Sequence, residues 1–428
     1  MSLSLDADLV AEPRLKAFWA TAWRYVVSAA GPVATSGAHF LASLLLVRNL
    51  AAASFGLFSF VLVIVPFAMS MTASLLVIPV TRALGQPEHE RRTVVNNCLK
   101  MNLLLTGGAM LCVFALLLIA HAAPLPALLL GLFGGAFTFR WFGRCYAFVD
   151  GRVKSAVASD LIYAAALILG LGVLALASHV TLTGGAIALL SASLVSLMPL
   201  GKQFFADHYA ALFSGSISGY RAIFRDTTRW SLLGVVFTEL TANAHAYLVT
   251  FIAGPGPFAL LALGMLLMRP ASLVQSALPD LERPVMTRQI AARNWRGLSR
   301  TAREFGLGLL AVLAATLLLD VGLLTWFPHL VLKRGYDLHD VAVVTAISAL
   351  IMAVRALRAP LAVILQAAGA FKEMAGIGIK SSSVSLLSTL ALLMLFGPVA
   401  SLGGVLLGEL MILGYCRVLV TAWEAKRG

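Results

Sequence analysis

The side chains in this sequence best able to do chemistry are arginines set inside long apolar segments: Arg269, Arg355, Arg358, Arg140 and Arg144. A charge at membrane depth is costly and rare, so each marks a candidate site. A guanidinium stays ionised and presents a planar fork of donors that matches phosphate oxygens. Arg355 and Arg358 share one helix face, as do Arg140 and Arg144. If both helices line a common path, the two pairs confront each other across it. Arg269 precedes Pro270, which predicts a kink that aims the guanidinium inward. We read these five as a set that binds an anionic headgroup. For Arg140 and Arg144, close to a segment end, snorkelling to the interface is the competing account.

The buried acids are Glu239 and Glu409, and His39 and His245 complete the ionisable set. Glu239 is a coupling or gating candidate, either pairing with Arg269 or binding and releasing a proton. Glu409 is expected to meet Asn, Ser or Arg partners within its own half. His39 and His245 are gating candidates by depth, with hydrogen-bonded packing as the plainer alternative.

The elements that must position these residues are membrane spans. Of the 428 residues 60% are hydrophobic and 12% charged, the signature of a polytopic membrane protein. Twelve apolar segments are predicted, at about 25–47, 55–79, 98–120, 124–146, 156–178, 181–201, 229–253, 257–280, 304–326, 341–367, 376–396 and 398–420. The +13 net charge lies in short loops. Apart from Arg48, Lys333 and Arg334, the loop arginines and lysines fall on one side, which predicts cytoplasmic termini. That placement argues for topology control and against nucleic acid. Residues 1–22 lack the apolar core of a cleavable signal and read as a cytoplasmic interfacial lead-in. The basic loop 281–303 reads as topology control, with a clamp on anionic lipid as the alternative. The four cysteines have no paired spacing, so neither disulfides nor a metal site is implied, and no cofactor is expected.

An internal repeat sets the architecture. Ala38-His39 in segment 1 is matched by Ala244-His245 in segment 7. Arg140, Gly151 and Lys154 recur at identical spacing as Arg358, Gly369 and Lys372. An even number of spans per repeat gives both halves the same orientation. The expected fold is all-α, with twelve transmembrane helices in two six-helix bundles related by a pseudo-two-fold along the membrane normal. The N-terminal bundle is placed at 23–201, a cytoplasmic linker at 202–228, the C-terminal bundle at 229–421 and a tail at 422–428.

Several residues carry a resemblance. The turn Arg48-Asn49-Leu50 leading to Phe55-Gly56-Leu57-Phe58-Ser59, the helix 2 ending Thr81-Arg82, and Gly-x-x-Lys after helices 4 and 10 resemble the polysaccharide-transporter branch of the multidrug/oligosaccharidyl-lipid/polysaccharide flippase superfamily. The likeness spans nearly the whole chain. It implies a V of two bundles around a central cationic cavity. It further implies movement of an undecaprenyl-diphosphate-linked oligosaccharide from the cytoplasmic to the periplasmic leaflet of a bacterial inner membrane. The partners implied are the lipid-linked glycan, membrane lipids and the polymerase or glycosyltransferase machinery of the same pathway. The family's fold is complete as a monomer.

Two other classes compete. A cation-coupled drug exporter of the multidrug-and-toxin-extrusion type would share the bundles. Intramembrane arginines outnumbering glutamates suit an anion and repel a lipophilic cation. A membrane glycosyltransferase would need a large extramembrane loop with carboxylates. The loop at about 327–340 offers only Asp337 and Asp340. Gly376-Ile377-Gly378-Ile379-Lys380-Ser381 lacks the core of a phosphate-binding loop, so ATP is not indicated and no enzyme is expected.

Overall fold

A lipid environment leaves backbone groups no water to bond, so long apolar segments become helices that satisfy themselves. The structure, a computed structural model, describes residues 30–328 and 336–425. Residues 1–22, Lys333, Arg334 and positions 426–428, all of which carry expectations above, lie outside the described residues. The helices are α1 (Ala30–Asn49), α2 (Ala52–Ala83), α3 (Glu88–Ile119), α4 (Pro124–Val149), α5 (Val153–Leu176) and α6 (Leu182–Ser214) in the first half. The second half holds α7 (Arg229–Ala253), α9 (Trp295–Trp326), α10 (Leu338–Ala367), α11 (Phe371–Phe396) and α12 (Ser401–Ala425). Between α7 and α9, α8 is a bent pair, Pro255–Leu267 and Arg269–Ala291, meeting at 62°. Two six-helix bundles result, and no strand occurs among the described residues.

The repeat is visible in the backbone. Gly151 ends α4 and Gly369 ends α10 with φ of +74° and +80°. That left-handed conformation is open to glycine at little cost and terminates a helix. The two repeat-equivalent glycines therefore do the same job.

Several helices outrun the apolar segments. The 202–228 linker is mostly helical: α6 continues to Ser214, and a short helix Ile217–Ile223 and a π-turn Phe224–Thr228 lead into α7. It is pinned to α3, where Lys100 Nζ donates to the Leu212 and Gly215 carbonyls at 2.8 and 3.0 Å. The expected loop 281–303 is two helix ends around a turn at 292–294. Hydropathy falls where the bilayer ends, whereas the helix goes on through charged residues that propagate it well.

The bundles meet tightly at the end opposite the basic loops. There Gly56 of α2 lies against the Pro255 carbonyl of α8 so closely that a Cβ would overlap it. One turn on, Phe60 is fully buried, edge-on to Tyr247, Phe251 and Phe258 of the opposite bundle at 5.6, 5.4 and 6.2 Å. Such T-shaped contacts add to simple burial. They make a seal.

Candidate functional site

The bend in α8 is local chemistry. Pro270 has no N–H and disfavours helical geometry before it. The first limb stops at Leu267, Met268 takes φ −74° and ψ 1°, and a new helix starts at Arg269. The predicted kink is present, and it puts Arg269 at the wall of a cavity.

That cavity, of about 150 Å³, lies between the bundles. Ser43 and Ser59 come from one bundle, and His245, Arg269, Ser348 and Arg355 from the other. Among the described residues no carboxylate lines it. Among the described residues Arg269 has neither an ion pair nor a side-chain hydrogen bond.

A second cavity, of about 470 Å³, lies within the C-terminal bundle. It shares Ala242, Ser272, Met352 and Arg355 with the first, so the two are contiguous. Its polar lining is mostly hydroxyl and amide and includes Thr238, Thr241, Ser272, Gln275, Gln366 and Ser381. Its charges are Arg355, Arg358 and Glu409. Arg355 Nε donates to Glu409 Oε1 at 2.7 Å, and Arg358 Nε lies 3.3 Å from Oε2. Two guanidinium groups on one buried carboxylate leave a positive excess. The partners expected for Glu409 within its own bundle are these arginines.

The first-half arginines are placed differently. Arg140 is fully buried and donates to Asp160 Oδ1 at 2.9 Å, while Arg144 Nε donates to Oδ2 at 2.5 Å. The Arg140 guanidinium also lies 4.7 Å from the Phe137 ring and 4.6 Å from that of Tyr163. Neither arginine lines the two cavities above, and they do not face Arg355 and Arg358. Each pair instead clamps an acid of its own bundle. The spacing placed each pair on one face but not the direction that face points.

Glu239 does not pair with Arg269. Its oxygens accept from Tyr247 Oη at 2.8 Å and Asn243 Nδ2 at 3.0 Å, both on α7. His39 Nε2 sits 2.6 Å from Tyr163 Oη, inside the N-terminal bundle, while its repeat counterpart His245 opens onto the first cavity.

The sequence reading missed Asp160, the acid that neutralises Arg140 and Arg144. Its signal was a carboxylate just inside the fifth apolar segment. It also missed Asp320 in α9, which is buried with Oδ2 unpartnered among the described residues. The hydroxyl-rich second cavity carried no sequence motif at all.

No family model matches the chain, and no curated protein matches its sequence. Solved structures do match in three dimensions. An inward-facing multidrug resistance MATE family transporter of the MOP superfamily aligns over 94% of this chain and 100% of its own, at TM-score 0.68 and 13% identity. The chain shares the fold of that structure. The lipid II flippase MurJ in an inward closed conformation aligns over 92% and 87%, at TM-score 0.62 and 10% identity. An outward-facing MATE family transporter aligns over 93% and 94%, at 0.59 and 13%. These neighbours are transporters and not enzymes. In this chain the fold is tightly packed around Phe60 at one end and holds two contiguous arginine-lined cavities between and within its bundles.

Proposed function

We propose that this protein is a flippase for an anionic, lipid-linked oligosaccharide. The cargo in this reading is an undecaprenyl-diphosphate-linked repeat unit, moved to the periplasmic leaflet of a bacterial inner membrane for surface or exopolysaccharide synthesis. One observation carries it: at the break of α8, Arg269 is a cation that, among the described residues, has no partner and faces a cavity lined by no carboxylate. A fixed unpaired guanidinium in low dielectric attracts an anion and repels a cation. The hydroxyl and amide lining of the adjoining cavity suits sugar hydroxyls, which both donate and accept.

The neighbours include drug transporters, and a drug exporter is the second reading. A cationic drug would need a free carboxylate. The one acid lining the second cavity, Glu409, is already held by two arginines. Charge thus favours the anionic cargo.

In this proposal both termini face the cytoplasm, the seal around Phe60 is periplasmic, and a single chain is the working unit. The greater likeness to the inward-facing than to the outward-facing MATE structure supports a cytoplasm-facing cavity. The lipid-linked glycan moves by alternating access as the bundles rock about the seal.

Equilibrium binding to the chain in nanodiscs tests the reading. The lipid-linked glycan is expected to bind saturably, and Arg269→Gln to weaken it at least about tenfold, or 1.4 kcal/mol. Tight binding of ethidium that survives Arg269→Gln, with no glycan-lipid binding, would favour the exporter.

A further inference from the structure

Two residues that line the first cavity each carry a polar atom left unsatisfied among the described residues. Ser348 and His245 both line it, and Ser348 Oγ and His245 Nδ1 are buried with no partner among the described residues. Their residues are 5% and 1% exposed. Buried polar groups are nearly always bonded, so two orphans beside an unpaired arginine need an explanation.

The ring nitrogen can be assigned a role. His245 Nε2 stands 3.2 Å from Met265 Sδ. A thioether sulfur only accepts, so Nε2 carries the ring proton and Nδ1 is left as an acceptor. The residues that line the cavity therefore bring to it a fixed cation, a hydroxyl with no acceptor, and a ring nitrogen that needs a donor. A simple anion without a proton, such as chloride or sulfate, satisfies the first two and leaves the third empty. A group satisfying all three carries a negative oxygen and, next to it, an O–H. A sugar phosphate has that pattern at the carbon bearing the phosphate and its neighbour. The volume of about 150 Å³ agrees. An apolar cavity of roughly that size takes a benzene ring, so it holds a phosphoryl group and adjoining ring atoms but not an oligosaccharide.

We infer that the first cavity reads the junction between phosphate and first sugar. The phosphoryl oxygens accept from Arg269 and Ser348, and the sugar hydroxyl beside the phosphate donates to His245 Nδ1. The rest of the glycan then extends past Ser272 and Arg355 into the hydroxyl-lined second cavity. This deepens the flippase reading and rests on it. His245 becomes a specificity-determining residue that selects a hydroxyl and not a charge.

The test uses glucose 1-phosphate and galactose 1-phosphate, each beside its 2-deoxy counterpart, with inorganic phosphate as a third probe. Binding is measured on the full chain in nanodiscs by equilibrium titration. At least one 2-hydroxy sugar phosphate is expected to bind about tenfold more tightly than its deoxy analogue, because a site built around a hydroxyl rejects the ligand lacking it. His245→Leu should bring that ratio to about one, while Arg269→Gln and Ser348→Ala weaken both members of the pair alike. A ratio near one in the unaltered chain, or an unchanged ratio in His245→Leu, overturns the inference. So does binding of inorganic phosphate alone. If the hexose phosphate preference holds but glycan-lipid is not flipped, the transport reading fails and the site stands.

Discussion

Phe60 of the N-terminal bundle stands edge-on to Tyr247 of the C-terminal bundle, 5.6 Å between ring centroids, and the Tyr247 hydroxyl donates to Glu239 at 2.8 Å. One tyrosine thus belongs both to the seal between the bundles and to a carboxylate inside the membrane. Glu239 fixes the ring that forms one wall of the cage around Phe60.

Removing the Phe60 ring should loosen that seal. In a chain with its native cysteines replaced, Ser59→Cys reports access to the first cavity through a membrane-impermeant maleimide added outside. Labelling is expected to be slow in the background chain and several-fold faster with Phe60→Ala. Tyr247→Phe keeps the ring and releases Glu239, and should give an intermediate rate. Equal rates in all three would show that the cage does not close the path.

The arginines should divide by their partners. Asp160→Asn leaves Arg140 and Arg144 buried without a counter-charge, and breaking a buried pair costs about 3–5 kcal/mol. Arg269→Gln removes a cation that has no partner among the described residues and should leave stability unchanged or raised. Thermal unfolding in nanodiscs separates the two, with a large drop in Tm expected only for Asp160→Asn.

Much of this was legible in the sequence. Segment 7 at 229–253 coincides with α7, because Gly254 and Pro255 mark its end as clearly as hydropathy marks its length. The Arg–Gly–Lys repeat announced two equivalent helix ends, and Gly151 and Gly369 share their left-handed φ. Pro270 announced the bend that presents Arg269. What stayed hidden was tertiary. Helical spacing shows that Arg140 and Arg144 share a face, but the acid they meet lies on α5, and no periodicity encodes that choice. The charged end of the helix Arg269–Ala291, from residue 281 on, was read as loop because the apolar signal stops at the interface.

In the proposed reading Glu409, paired with Arg355 and Arg358, competes with cargo for them. Glu409→Gln should free both guanidinium groups, tighten glycan-lipid binding and slow its release. Titration is expected to give a lower Kd and turnover a lower rate from the same variant. Weaker binding would mean that Glu409 orients the arginines and does not compete with the cargo.

A diphosphate headgroup that crosses with its negative charge uncompensated is driven outward by an inside-negative potential, at about 2.3 kcal/mol per charge per 100 mV. Flipping in proteoliposomes is therefore expected to accelerate when a potassium diffusion potential is imposed, without any pH gradient. A response to the pH gradient alone, abolished by Glu239→Gln, would instead make Glu239 a proton-coupling site.

The most direct measurement is reconstitution of the purified chain with a defined undecaprenyl-diphosphate-linked oligosaccharide, following how much of it moves between leaflets. The account predicts flipping that requires the protein and falls more than about tenfold in Arg269→Gln, with the variant's Tm not lowered. Glycan-lipid that stays in its leaflet while the same vesicles transport a lipophilic cation, or an Arg269→Gln chain that flips as fast as the unaltered one, would contradict it.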